Sequence, residues 1–343
     1  MISVTRLFRL GIRVAAWATP RVQQWHRQRH MNRIEGQRHL EARNWTEAEK
    51  HLTAALAERR HSSKRSLELL LGLVEAQRRQ SKLVEAEQTA HIAIQQAVHA
   101  RDSSLSHALN SLIDIQLDQG KYGEAEQTAG EIVRLENSQS KPNHALLAKS
   151  SRKLGTALLK VGRHAEAMQA FHQTAALAEQ AFGVEHVETA NSLAELGMLY
   201  RDAGNHAEAQ RHLRRALQIH RGTLGADSHE ATQDLHHLAA SLEDSGDPAA
   251  AAEEFERLLS LRARQVGCDP DQTAEAQVRL ATLYLNAKRT GPAKELLAQA
   301  IATLERKGGP VFVRALEAMA RAEEQFGRTG DANEWRKRAL SVA

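Results

Sequence analysis

The chain has 343 residues, carries 46 Lys and Arg against 42 Asp and Glu for a net charge of +4, and is only 4% aromatic. The first 34 residues hold seven arginines and no acid, so the rest carries 39 basic against 42 acidic residues, or −3, and the charge is not that of a nucleic-acid-binding body. A single cysteine, Cys268, excludes a disulfide framework and a thiolate zinc site, and no run of 18 uncharged apolar residues is present to span a bilayer.

Residues 1–30 read as a basic amphipathic helical arm. On a helical wheel Arg6, Arg9 and Arg13 share one narrow face, while Leu7, Leu10, Val14, Trp17 and Ala18 cover the adjoining one. Pro20 interrupts or restarts that helix. Three readings stay open for the arm. Arg6, Leu7, Arg9, Leu10, Arg13 and Trp17 suit an anionic membrane surface. The same face can cap the first repeat or pack on a second copy of the chain, giving a homo-oligomer. An acid-free, arginine-rich leader also resembles a mitochondrial transit peptide. A secretory core is excluded, because Arg9 and Arg13 break the apolar run.

From residue 31 to 343 the chain repeats itself. A small-residue landmark ends on Ala48, Ala86, Ala125, Ala167, Ala209, Ala251, Ala293 and Ala332, at intervals of 38, 39, 42, 42, 42, 42 and 39 residues. Five residues before five of these alanines stands a glycine: Gly120, Gly162, Gly204, Gly246 and Gly327. Glycine there fits the left-handed residue that closes a helix. Apolar residues at helical spacing lie on both sides, as in Leu193, Leu196 and Tyr200 upstream and Leu213 and Ala216 downstream. Each unit is therefore predicted as helix, tight turn, helix. The dominance of Ala, Leu, Glu, Gln and Arg supports helix throughout. Glu136 to Pro142 is the most loop-like stretch and reads as a bend or loosened joint.

The pattern resembles the tetratricopeptide repeat (TPR) family. The fifth unit carries it most fully, through Leu193, Leu196, Gly197, Tyr200, Gly204, Ala209, Leu213 and Ala216. The 42-residue units, spanning about 146–305, resemble the kinesin-light-chain type, whose linker signature matches Gly183–Ala190, Gly225–Ala231 and Gly267–Ala274. The resemblance implies an all-α fold: a right-handed superhelical solenoid of about eight antiparallel helix pairs over 31–343, headed by the arm. Two units depart from the pattern. The first has Arg43 in place of the turn glycine and His39 where the fifth has Tyr200, and the last has Glu323 and Met319 at two apolar positions. Terminal repeats lack one neighbour and are expected to be atypical.

By the same resemblance, first helices line a concave groove that takes an extended peptide or a helix of a partner protein. Counting 18, 15, 11, 8 and 7 residues back from each landmark alanine selects the wall. The candidate partner-binding residues are Asn110, Asp114, Lys149, Arg152, Asn191, Arg201, Gln233, His236, Glu243 and Asn286, with Val278 and Leu285 at apolar wall positions. Kinesin-light-chain repeats carry Asn at the place of Asn110, where an amide bonds a peptide's N–H and C=O together. The other units have Arg152, Ala194, His236 and Val278 there, so no asparagine ladder forms. TPR domains that clamp a C-terminal carboxylate resemble this chain only at Lys149 and Lys153. Glu75 stands at one of their first-repeat positions and repels an anion. Along the wall the fourth unit is basic, and the sixth offers Glu243 and Asp244.

Chemistry finds no foothold. His26 and His30 have ligand spacing but flank Arg27 and Arg29, and His229 and His236 lie too far apart on a helix for one ion. No phosphate loop, metalloprotease or nucleophile-elbow motif occurs. No catalytic residue, metal or cofactor is predicted, and few aromatics leave little for nucleic acid to stack on. The expectation is a non-catalytic, cytoplasmic interaction scaffold. The alternative is a peripheral membrane-surface organiser held by the arm and recruiting cytosolic partners.

Overall fold

A computed structural model describes residues 20–57, 63–100, 104–265 and 267–342, with backbone alone for 20–30, 63 and 64. Among them are sixteen helices and no strand. The chain divides into two compact units, Met1–Ala170 and Phe171–Ala343.

In the N-terminal unit the first helices of the pairs are α1 (Pro20–Glu41), α3 (Ser63–Arg79), α5 (Leu105–Asp118) and α7 (His144–Lys160). Their second helices are α2 (Trp45–Leu56), α4 (Leu83–Ala100) and α6 (Tyr122–Asn137). The division between units falls inside α8 (His164–Phe182). In the C-terminal unit the first helices are α9 (Val187–Asp202), α11 (His229–Asp244), α13 (Pro270–Asn286) and α15 (Pro310–Gln325). The second helices there are α10 (His206–Thr223), α12 (Pro248–Arg262), α14 (Thr290–Leu304) and α16 (Thr329–Val342). Pro20 opens α1, which runs past residue 30 without a break.

The landmark alanine is where two helices of a pair meet. All eight are 0% exposed, because a larger side chain would hold the axes apart. Gly197 does the same from the facing helix: a Cβ there would lie 2.5 Å from Leu213 Cγ. Each first helix ends on one and the same turn. In the fifth unit Gly204 N–H donates to the Arg201 carbonyl and Asn205 N–H to Tyr200, with φ +75° at Gly204. This pair of bonds satisfies carbonyls that the helix end leaves open. Three units build the turn without glycine, placing Arg43 (φ 55°), Ser81 (φ 59°) and Lys288 (φ 58°) in the left-handed region. The first unit departs in residue type at this position and keeps the geometry.

Within each unit, consecutive helices pack on one another from α1 to α7 and from α9 to α16, and first helices also touch the next first helix at α1 and α3, α3 and α5, α5 and α7, α9 and α11, and α13 and α15. The second helices make no comparable contact with one another among the described residues. The first helices thus lie on the inner side of each stack. The cores differ. In the C-terminal unit one continuous cluster runs from Leu213 through Leu235, Phe255 and Leu297 to Leu316. The N-terminal unit instead holds several small clusters, such as Leu52 with Leu69 and Leu73, and Ile113 with Ile132 and Leu146.

The stretch after α6 is tied down. Glu136 is buried, and its carboxylate accepts the Asn143 N–H at 2.9 Å, while Asn143 Oδ1 caps α7 through the Leu146 N–H.

Candidate functional site

The side chains counted onto the first-helix wall are mostly half-buried or exposed, and many are tied to each other. Val278 and Leu285 are exceptions: at 3% and 1% exposure they belong to the core. Both belong to the apolar cluster that continues from α13 into α15, a burial that a count along one helix does not register.

In the N-terminal unit, Lys153 of α7 joins two of the expected residues. Its Nζ lies 2.8 Å from Asp114 Oδ1 and donates at 2.8 Å to the Asn110 main-chain carbonyl, both on α5. Burial pushes the Lys153 pKa down, against the pull of Asp114. The same alternation continues toward α3, where Arg78 reaches Asp118 at 3.1 Å and Glu75 at 3.1 Å. Burial raises the Glu75 carboxyl, but Arg79 and Arg78 outweigh it and hold the group below its ordinary value. Asn110 Oδ1 is buried without a hydrogen-bond partner. Lys149 and Lys160 are exposed on α7, and Arg152 is half-buried.

In the C-terminal unit the wall charges are matched from helix to helix. Arg279 of α13 binds Glu243 of α11 at 2.9 Å and lies 3.6 Å from Glu275 on its own helix. Arg314 of α15 is 3.7 Å from Glu275, and Arg201 of α9 is 4.0 Å from Asp244. Glu243 and Asp244 are therefore partly neutralised, and the acidic end read from the sequence is weaker than its side chains suggest. Asn286 accepts from Arg321 at 2.9 Å. A cleft of about 340 Å3 lies over α11, α13 and α15, bordered by Glu243, Arg279 and Arg314.

His236 and His237 sit side by side on α11, with rings 5.5 Å apart. Burial, and then neighbouring cations, lowers His236 to about 3 and His237 to about 4, so both are neutral near pH 7. His236 Nε2 is buried without a partner, and its ring meets Phe255 edge-on at 6.1 Å.

One constellation escaped the sequence reading. His220 of α10 and Asp234 of α11 are almost fully buried, with Nδ1 and Oδ2 2.7 Å apart. His220 Nε2 lies 3.1 Å from Asn191 Oδ1 on α9. Three helices are thus joined through one imidazole, and the expected wall residue Asn191 is anchored from beneath. Burial raises the Asp234 pKa, opposed by His220. One period of 42 residues later the equivalents are Gln233, Arg262 and Ala276. Arg262 is only 4% exposed, and its NH2 shares Gln272 Oε1 with Gln233, at 3.4 and 3.2 Å. Its NH1 is buried without a hydrogen-bond partner, and alanine stands at the position that Asp234 takes one repeat earlier. The signal was available: aligning the units at 42 residues puts His220 under Arg262 and Asp234 under Ala276.

The arm residues Arg6, Leu7, Arg9, Leu10, Arg13 and Trp17 lie outside the described residues. Among the described residues no helix is long and apolar enough to cross a membrane, and no three His, Cys, Asp or Glu side chains gather to hold a metal.

Tetratricopeptide-repeat family models match residues 35–97 and 146–222. No curated protein sequence matches the chain. Several solved structures share the fold. The apo form of RapI aligns with a TM-score of 0.66 at 14% identity, over 81% of this chain and 76% of that one. The apo quorum sensor NprR from B. thuringiensis gives 0.60 at 11% identity, over 92% and 87%. BtubC (BKLC) from P. vanneervenii gives 0.55 at 17% identity, over 73% and 95%.

Proposed function

Because this chain is a tetratricopeptide-repeat protein, we propose that it is a non-catalytic interaction scaffold holding an extended peptide or helix of a partner protein on its first-helix face. The observation that carries this reading is the inner placement of the first helices within each unit, lined by polar, half-buried side chains. Such faces in repeat stacks offer length and register in place of a closed pocket. In the N-terminal unit the Asn110 amide oxygen has no hydrogen-bond partner, and Lys149 is exposed one turn before Lys153, the partner of Asp114. That combination favours a partner segment that donates a main-chain N–H and carries an acid.

Affinity purification with mass spectrometry tests this. The full chain, a chain lacking residues 1–30, and an Asn110→Ala/Arg152→Glu variant are compared. A partner lost in the double variant and kept by the shortened chain supports the reading. A partner lost only with residues 1–30 overturns it in favour of the arm. The arm's arginines and tryptophans support a second reading, a membrane-surface organiser, for which liposome binding that falls steeply with salt is the expected outcome.

A further inference from the structure

We propose that the C-terminal unit carries a second interaction surface, on its second-helix side: a basic cleft between α10 and α12 that takes an acidic segment of a protein partner. The cleft encloses about 570 Å3 and is bordered by Arg214, Gln218 and Arg221 of α10 and by Glu254 and Arg257 of α12. Leu217 and Leu238, both buried, form its floor.

Two guanidiniums give the cleft its character. Arg214 and Arg221 are exposed and seven residues apart, hence on one face of α10 and about 10 Å apart along its axis. Other arginines of this helix are committed to acids, Arg211 to Glu208 and Arg215 to Glu185. Arg214 donates to the neutral Gln210 at 3.2 Å, and Arg221 has no ion pair among the described residues. Glu254, the acid of the cleft, lies 3.6 Å from Arg257 and is offset by it. The uncompensated charge is therefore positive. On the first-helix face of the same unit, Arg201, Arg279 and Arg314 each face a carboxylate.

Shape selects the class of partner. A guanidinium fork matches a carboxylate with two parallel hydrogen bonds. Gly222 and Ala226 border the same cleft, and a Cβ at Gly222 would meet nothing within 4 Å. A partner backbone can therefore approach closely. Two carboxylates about 10 Å apart on one face match the arginines, which two turns of helix provide. A flat lipid surface does not enter a recess floored by leucine, whereas a peptide side chain does.

The test uses the full chain and a fluorescent glutamate-rich peptide, read by anisotropy at low and high salt. An Arg214→Gln/Arg221→Gln variant is compared with an Arg211→Gln/Arg215→Gln variant, whose arginines lie on the same helix but are already paired with Glu208 and Glu185. All four side chains lie at the surface or partly so, and circular dichroism verifies that both variants fold. The expected result is a loss of about tenfold or more in the first variant, little change in the second, and weakening with salt. No binding at low salt, or equal loss in both variants, overturns the proposal. So does binding of phosphatidylserine vesicles that the first variant loses while peptide binding stays unchanged.

Discussion

The two units tie successive repeats together in different places. In Met1–Ala170, from the second pair on, the residue that precedes the second helix reaches back to a glutamate one repeat earlier: Lys82 to Glu49 at 2.6 Å, Lys121 to Glu87 at 2.8 Å, and Arg163 to Glu126 at 2.7 Å. Gln80 and Gln119 brace the same glutamates at 2.9 and 3.0 Å. In Phe171–Ala343 the matching positions are Asn205, Asp247, Arg289 and Arg328, of which Arg289 still lies 3.8 Å from Glu256 of the preceding repeat, and a principal tie lies inside, through Asn191, His220 and Asp234. Exposed pairs exchange protein contacts for water at little net gain. A buried pair contributes little net stability when intact, yet breaking it strands a polar group away from water. The same topology is thus held by ties of very unequal sensitivity.

The largest expected effect breaks the buried tie. Asp234→Ala is expected to lower unfolding stability by about 3 kcal/mol, read by urea denaturation of the full chain. Lys121→Ala, the matching change in the exposed ladder, is expected to leave the midpoint where it is, and equal losses in the two variants would erase the distinction drawn above.

Acid should also act on the C-terminal unit. His236 and His237 have folded pKa values of about 3 and about 4, below the ordinary 6.5, so the unfolded chain binds their protons first. Their contribution is complete above pH 6.5 and is lost as pH falls toward 4. Asp234 has the opposite sign, since its raised pKa favours the folded state at low pH, but it offsets at most one of the two protons. Stability should therefore decline between pH 6.5 and 4, with His236→Gln reducing the slope by about one proton. A flat profile over that window contradicts the burial of these rings.

A third experiment completes the missing tie. Ala276→Asp places a carboxylate beside Arg262, at the position Asp234 takes one repeat earlier. It should be more favourable with Arg262 present than in an Arg262→Leu background, by a coupling of about 1–3 kcal/mol. Additive effects would show that the Arg262 NH1 does not face that position.

The smallest effects concern the turns. Ser81→Gly in one unit and Lys288→Gly in the other relieve left-handed strain and should each stabilise by about 1 kcal/mol, seen as a raised denaturation midpoint. The gain is local, so it should be alike in both units despite their different ties.

Much of the fold was legible. The eight landmark alanines, the five turn glycines and the helical spacing around Leu193 and Leu213 located the helix pairs, because close packing and a left-handed turn demand particular small residues. Arg43 departs in residue type and keeps the turn, since the turn tolerates a strained side chain when both of its hydrogen bonds form. The wall was legible as a set of positions and poorly as chemistry. Glu243 reads as a free acid until Arg279 is found beside it, 36 residues away. Lys153 reads as basic surface until Asp114 and Asn110 are seen to hold it. His220 is one of eighteen histidines, and nothing in the residues beside it sets it apart.

The sequence by itself determined which segments are helices, where they turn, and which small residues let them touch, since these depend on spacing and local sterics over a few residues. Only the tertiary structure decided which charges are spent on each other, which arginines of α10 stay uncompensated, and that Asp234 lies against His220. Those pairings join residues between about 14 and 40 positions apart, and electrostatic partnership depends on distance in space and on burial, neither of which a periodic pattern encodes.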